Sequence, residues 1–120
     1  MNVGITSFTQ LQVWKKAHQV VLDVYKATRS YPAQEQYGLT AQMRRAAISV
    51  PANIAEGFGR QSPKDKARMY NIANGSTEEM KYFVLLSKDL GYLPEPTPLT
   101  SSLEEISRML RKLTQVILDA

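Results

Sequence analysis

Gly38-Leu39-Thr40-Ala41-Gln42-Met43-Arg44-Arg45-Ala46-Ala47-Ile48-Ser49-Val50-Pro51-Ala52-Asn53-Ile54-Ala55-Glu56-Gly57-Phe58-Gly59-Arg60 reads either as one long helix or as two short ones, depending on its proline. Leu39, Met43, Ala46, Ala47, Val50, Ile54 and Phe58 recur every three or four residues, the spacing of one helical face. Pro51 removes a backbone donor and crowds the carbonyl four residues earlier, a cost of about 3 kcal/mol in an unaided helix interior. The apolar phase nevertheless runs unchanged from Val50 to Ile54, so both halves can face one core. The spacing therefore predicts a single helix over about 38–60, kinked and not broken at Pro51.

Upstream, Ser7 and Gln10 have the spacing of a capping box, which opens a first helix predicted to run to about Tyr31, before Pro32. Its apolar face is Phe8, Leu11, Trp14, Ala17, Val21, Val24 and Thr28. Downstream, Ser62, Pro63 and Asp65 supply a cap, a proline at the first helical position and an acid in the first turn. That third helix carries Met69, Ile72, Ala73, Ser76, Met80, Phe83, Ser87 and Leu90, and Gly91 stops it as a left-handed cap. After an extended connector from Pro94 to Pro98, Leu99, Leu103, Ile106, Leu110, Leu113 and Ile117 follow a heptad seam.

Four amphipathic helices, over roughly 7–31, 38–60, 63–90 and 98–118, make residues 1–120 a single all-α domain. Joined by short turns, they bury their stripes most simply as an antiparallel up-down-up-down four-helix bundle. At 120 residues the chain is long enough to fold around one core. Small residues on the second and third helices, Gly75 among them, allow close helix approach. Gly75 costs about 1 kcal/mol relative to alanine in mid-helix, so close packing against another helix is its expected compensation.

The chain has no cysteine and one histidine, which excludes disulfides, thiolate metal sites and a cysteine nucleophile. A di-metal bundle needs two Glu-x-x-His motifs, and the residue three before His18 is Lys15, so no metal or other cofactor is expected. Gly57-Phe58-Gly59-Arg60 follows no strand and lacks a third glycine, so it is not a nucleotide-binding loop. No catalytic constellation emerges, and the expectation is a non-enzyme. No run reaches the roughly 20 apolar residues of a membrane span, and the N-terminus lacks a signal-peptide pattern, which points to the cytoplasm.

Arg45, Ser49, Asn53, Glu56 and Arg60 stand four, four, three and four residues apart, on one face beside the apolar stripe. They read either as a solvated flank or as a polar seam between helices or subunits, with Ser76 and Glu79 as partners on the third helix. Asn53 and Glu56 are the residues expected to organise the bundle or its subunit contacts.

The words from Arg44 to Arg60, with Asn53-Ile54-Ala55-Glu56-Gly57 at their centre, and Ala73-Asn74-Gly75-Ser76-Thr77-Glu78-Glu79 closely resemble the 23S rRNA intervening-sequence protein family. Phe8, Leu11, Val13-Trp14, Ala17 and the turn from Tyr31-Pro32 to Tyr37-Gly38-Leu39 extend the likeness over about residues 7–118. The resemblance implies a left-handed bundle, often assembled as a homopentameric ring, and brings no activity. It places Arg45, Ser49, Asn53, Glu56, Gly57, Gly75, Ser76 and Glu79 in a family-motif stripe. The accessory variability proteins of diversity-generating retroelements, which are similar bundles, form basic pentamers that bind nucleic acid and a reverse transcriptase.

Fifteen Lys and Arg against eleven Asp and Glu give a net charge of +4. Arg60, Lys64, Lys66 and Arg68 crowd the second turn, while Arg108, Arg111 and Lys112 lie opposite the last helix's seam. Such patches favour RNA or DNA phosphates without sequence readout, and a ring of copies strengthens their field. Tyr70 and Tyr82 are stacking candidates if exposed. The competing class is a protein–protein interaction scaffold, supported by Val13, Val20, Leu22, Leu85, Leu86, Met109 and Val116 lying off the main stripes.

Overall fold

The computed structural model describes residues 4–94 and 97–120. The start of the N-terminal tail, Met1 to Val3, and the Glu95-Pro96 part of the connector lie outside the described residues. Four helices form: α1 (Gln12–Thr28), α2 (Leu39–Gly59), α3 (Pro63–Asp89) and α4 (Pro98–Asp119). Short 3-10 turns sit at Phe8–Gln10 and Ala33–Glu35, and no strand occurs among the described residues.

Helix α2 passes through Pro51 without a break. Both halves stay attached to the core, with Val50, Pro51 and Ile54 buried in consecutive turns. At its start, no side chain of Gly38 can cap, and Glu35 Oε1 instead accepts from Leu39 N at 3.3 Å. Helix α3 starts as its sequence prescribes, with Ser62 Oγ accepting from Asp65 N at 3.1 Å. It ends in a Schellman motif: Gly91, at φ +79°, donates to Lys88 O at 3.0 Å and Tyr92 N donates to Ser87 O at 2.8 Å.

The first helix departs from expectation. Ser7 and Gln10 do form a capping box, with Thr9 N donating to Ser7 Oγ and Ser7 N to Gln10 Oε1, yet it closes only one 3-10 turn. Leu11 is extended, at φ −71° and ψ 129°, so α1 begins at Gln12. It stops at Thr28 and not at Tyr31: Ser30 N and Tyr31 N close tighter turns onto Ala27 O and Thr28 O, Pro32 has no N–H with which to continue the ladder, and Ser30 Oγ bonds Ala27 O at 3.0 Å. The buried column is Val13, Ala17, Val20, Val24 and Thr28, while Trp14 and Val21 flank it half-buried. Val13 and Val20, expected off the stripe, are thus core residues.

The helices pack in antiparallel order. From α2 to α3, contacts run Met43 with Ser87, Ser49 with Ser76, and Gly57 with Tyr70. Thr28 meets Arg44 at the far end of α1 and α2, where Arg44 Nε donates to Thr28 Oγ1 at 2.9 Å and its guanidinium lies over the Tyr25 ring. Ion pairs tie α4 to both neighbours: Lys81 Nζ to Glu104 at 3.1 Å and Lys16 Nζ to Glu105 at 2.8 Å. Leu99, Leu103, Ile106 and Leu110 fill the core, whereas Leu113 and Ile117 are only half-buried.

Two glycines expected to play similar parts differ. A Cβ on Gly57 would lie 2.6 Å from Cε1 of Tyr70 and 3.1 Å from Cβ of Met69, and the Tyr70 ring is fully buried, so nothing there yields easily. Gly75, by contrast, faces open space, so no helix of this chain compensates its cost. Gly57→Ala is expected to lower the unfolding free energy by about 1–2 kcal/mol, overpacking partly offset by helix propensity. Gly75→Ala should raise it by about 1 kcal/mol. Urea unfolding of both variants checks the contrast.

The hydrogen bond from Lys16, followed by its charge, holds the Glu105 carboxyl below its ordinary value. A depressed carboxylate contributes stability above its unfolded pKa and loses it as pH falls through the folded one. Lys16→Met should therefore return Glu105 toward the usual range in a carboxyl-detected NMR titration and flatten the acid side of the stability profile.

Candidate functional site

The four cations of the α2–α3 turn divide by their partners. Arg60 pairs with Glu56 one helical turn back, Nη2 to Oε2 at 2.6 Å. Lys66 reaches over the end of α2, donating to Phe58 O at 2.8 Å and Gly57 O at 3.3 Å, with its ammonium 5.6 Å from the Phe58 ring centre. It satisfies the Phe58 carbonyl, adds a second donor to the Gly57 carbonyl that Arg60 N already reaches at 3.2 Å, and meets the negative end of the dipole. Lys64 and Arg68 are exposed on the first turns of α3. Arg108, Arg111 and Lys112 are exposed on α4.

Antiparallel packing places the last three turns of α4 beside the first half of α3, so both basic clusters fall in the half of the bundle that holds the α2–α3 turn. Residues 56–68 and 108–119 carry seven cations there, Arg60, Lys64, Lys66, Arg68, Arg108, Arg111 and Lys112, against Glu56, Asp65 and Asp119. The other eight cations and eight acids of the chain cancel. The surplus of these two neighbouring segments therefore equals the whole +4 of the chain. Linear order alone does not reveal this, because the clusters are separated by forty residues and join only through the fold.

The polar stripe also divides. Ser49 Oγ and Ser76 Oγ lie 2.8 Å apart across the α2–α3 seam, and Asn53 Nδ2 donates to Ser49 O at 2.8 Å and to Ser49 Oγ at 3.0 Å. Glu56 and Arg60 form a solvent-exposed pair. Arg45 and Glu79 are exposed on the walls of an α2–α3 groove of about 430 Å³, which Tyr37 and Gln42 also line. Gly57 lies at the helix contact and Gly75 on the outer face of α3. Tyr37, a nearly fully exposed ring at this groove, carried no pattern signal because it lies in a turn, outside any periodic run.

Tyr70 is buried, and burial raises its pKa, so its ring offers no stacking surface. Tyr82 is exposed. Of the off-stripe apolar residues, Leu22, Leu85 and Val116 are about half-exposed, while Leu86 and Met109 pack partly against the core. His18 stacks on Trp14 at 4.9 Å between ring centres. Among the described residues, no three His, Cys, Asp or Glu side chains gather in a way that could hold a metal ion. No helix there is long and apolar enough to cross a membrane.

Four packed helices, two neighbouring basic segments and a polar groove define an all-helical bundle protein with no recognised reaction centre among the described residues. The chain belongs to the 23S rRNA-intervening sequence protein family, whose model matches residues 9–112. Its fold is that of a protein of unknown function from the S23 ribosomal protein family of Bacteroides thetaiotaomicron. The two are 22% identical, with a TM-score of 0.78, and the match covers 86% of this chain and 95% of that one. No curated protein matches the chain.

Asn53→Ala removes two hydrogen bonds at the half-buried seam and should cost about 1 kcal/mol in urea unfolding. Glu56→Ala breaks only an exposed pair and should cost a few tenths. Equal losses in the two would show that Glu56 has a buried role that its exposure denies.

Proposed function

We propose that this protein is a non-enzymatic, cytoplasmic, self-assembling bundle that associates with RNA or DNA through its basic half. The observation that carries the reading is the charge surplus on residues 56–68 and 108–119, where Lys64, Arg68, Arg108, Arg111 and Lys112 are exposed to solvent. A polyanion gains most where like charges gather, by displacing condensed counterions, and such binding weakens steeply with salt. Half-exposed Leu85, Val116 and Leu118 favour assembly of copies, for which a homopentameric ring is the proposed form.

A second reading, a protein-interaction scaffold, draws on an apolar groove of about 420 Å³ where Leu11 and Val13 of the N-terminal segment face Met109, Leu113 and Val116 of α4. The nucleic-acid reading is preferred because the same half bears this charge surplus.

Light-scattering mass, taken at low and moderate salt with an RNA and DNA ladder, tests it. The reading expects a pentamer-sized particle that shifts onto the polymer and is released by salt. An oligomer indifferent to both polymers would transfer the case to a protein partner. Replacing Lys64, Arg68, Arg111 and Lys112 together by alanine should leave melting unchanged. It should also reduce the slope of log affinity against log salt by about 0.7 for each single-strand phosphate that the variant no longer neutralises. Lys66→Ala should mainly destabilise the end of α2.

A further inference from the structure

The α2–α3 groove lies outside the basic half, and its chemistry is different. Arg45 and Glu79 stand exposed on its two walls, a cation and an anion lining one space, yet neither has an ion-pair or hydrogen-bond partner among the described residues. Its floor holds the Ser49–Ser76 hydroxyl pair, in which either oxygen can donate. Tyr37, 90% exposed, presents a ring at the groove and gains nothing from the core. A ligand that satisfies all of these is flat, with a donor edge for the carboxylate and an acceptor edge for the guanidinium.

Guanine has that pattern. Its N1–H and N2–H2 are adjacent donors that one carboxylate can accept, and its O6 and N7 are adjacent acceptors that an arginine fork matches. Adenine puts the N6 donor where arginine needs an acceptor. Uracil flanks its single N–H with carbonyls that repel a carboxylate. The base plane can stack on a tyrosine ring, and the hydroxyl pair adapts to whichever polar atom remains.

We propose that this groove is a recognition site for an unpaired guanine of a single-stranded nucleic acid, with Glu79 on the Watson–Crick edge, Arg45 on O6 and N7, and Tyr37 as the stacking face. The inference rests on the nucleic-acid reading above. It adds base preference to what is otherwise a sequence-blind attraction. At 1.5 Å per residue, Arg45 lies about 22 Å along α2 from Arg60, so a strand held by the basic half can run to the groove.

The test is a 15N-amide NMR titration of the protein with GMP, AMP, CMP and UMP, alongside binding of poly-U. GMP should shift the amides of Tyr37, Ser49 and Ser76 and bind about tenfold more tightly than AMP, the discrimination of one good bidentate contact. Glu79→Gln and Arg45→Gln, both surface changes, should each abolish that preference while leaving melting and poly-U binding intact. Equal shifts for GMP and AMP, or GMP shifts away from the groove, would overturn the inference; if poly-U still binds, the basic-half reading stands, and if poly-U also fails, both fall. Groove amides that move with protein concentration alone would overturn it too, because a second copy then occupies the space.

Discussion

The bundle depends on the contact of Gly57 with the buried ring of Tyr70. A backbone without a Cβ lets α2 and α3 approach at the turn, and that approach sets the seam along which Ser49 meets Ser76 and Met43 meets Ser87. The same proximity lets Lys66 reach back to the carbonyls of Gly57 and Phe58 and close the end of α2. Continuity through Pro51 completes the constraint. A break there would leave Ser49 and Gly57 on separate helices, with no shared register against α3.

Antiparallel order then decides the electrostatics. In such a bundle the helix dipoles largely cancel, so the field comes from side chains. Residues 60–68 and 108–112 are remote in the chain, yet they share one half of the molecule because α3 and α4 run in opposite directions from the Lys81–Glu104 bridge. Lys81 illustrates the balance elsewhere. Burial acts to lower its pKa, but hydrogen bonds and charge from Glu78 and Glu104 together raise it, so this lysine is held charged and locally neutralised. Lys64, Arg68, Arg111 and Lys112 of the basic half have no such ion-pair partners among the described residues, which leaves their field available to a polyanion.

Much of this was legible in the sequence where local chemistry fixes the outcome. Ser62-Pro63-Asp65, Gly91 and the Leu99 to Leu110 seam each became the element their residue types require. The first helix was harder, because Val13/Val20 and Trp14/Val21 are neighbouring columns that share Ala17, Val24 and Thr28, and only packing against the other helices decides that the first is buried. Tyr70, Thr77 and Val84 were missed as core for a similar reason, and Ile72 and Leu90, read as core, are exposed, since α3 packs against α2 and α4 at once and buries a broader face than one stripe. At the site, Lys64 and Lys66 are chemically identical in the sequence. Only the tertiary position of the α2 terminus makes one a structural cap and leaves the other free.

Lysine acetylation footprinting, read by mass spectrometry with and without bound single-stranded RNA at low salt, tests most directly whether the charged half is the contact surface. The account predicts that Lys64 and Lys112 become protected while Lys26, at the opposite end of α1, reacts at an unchanged rate. Protection spread evenly over all three, or confined to Lys26, would contradict it.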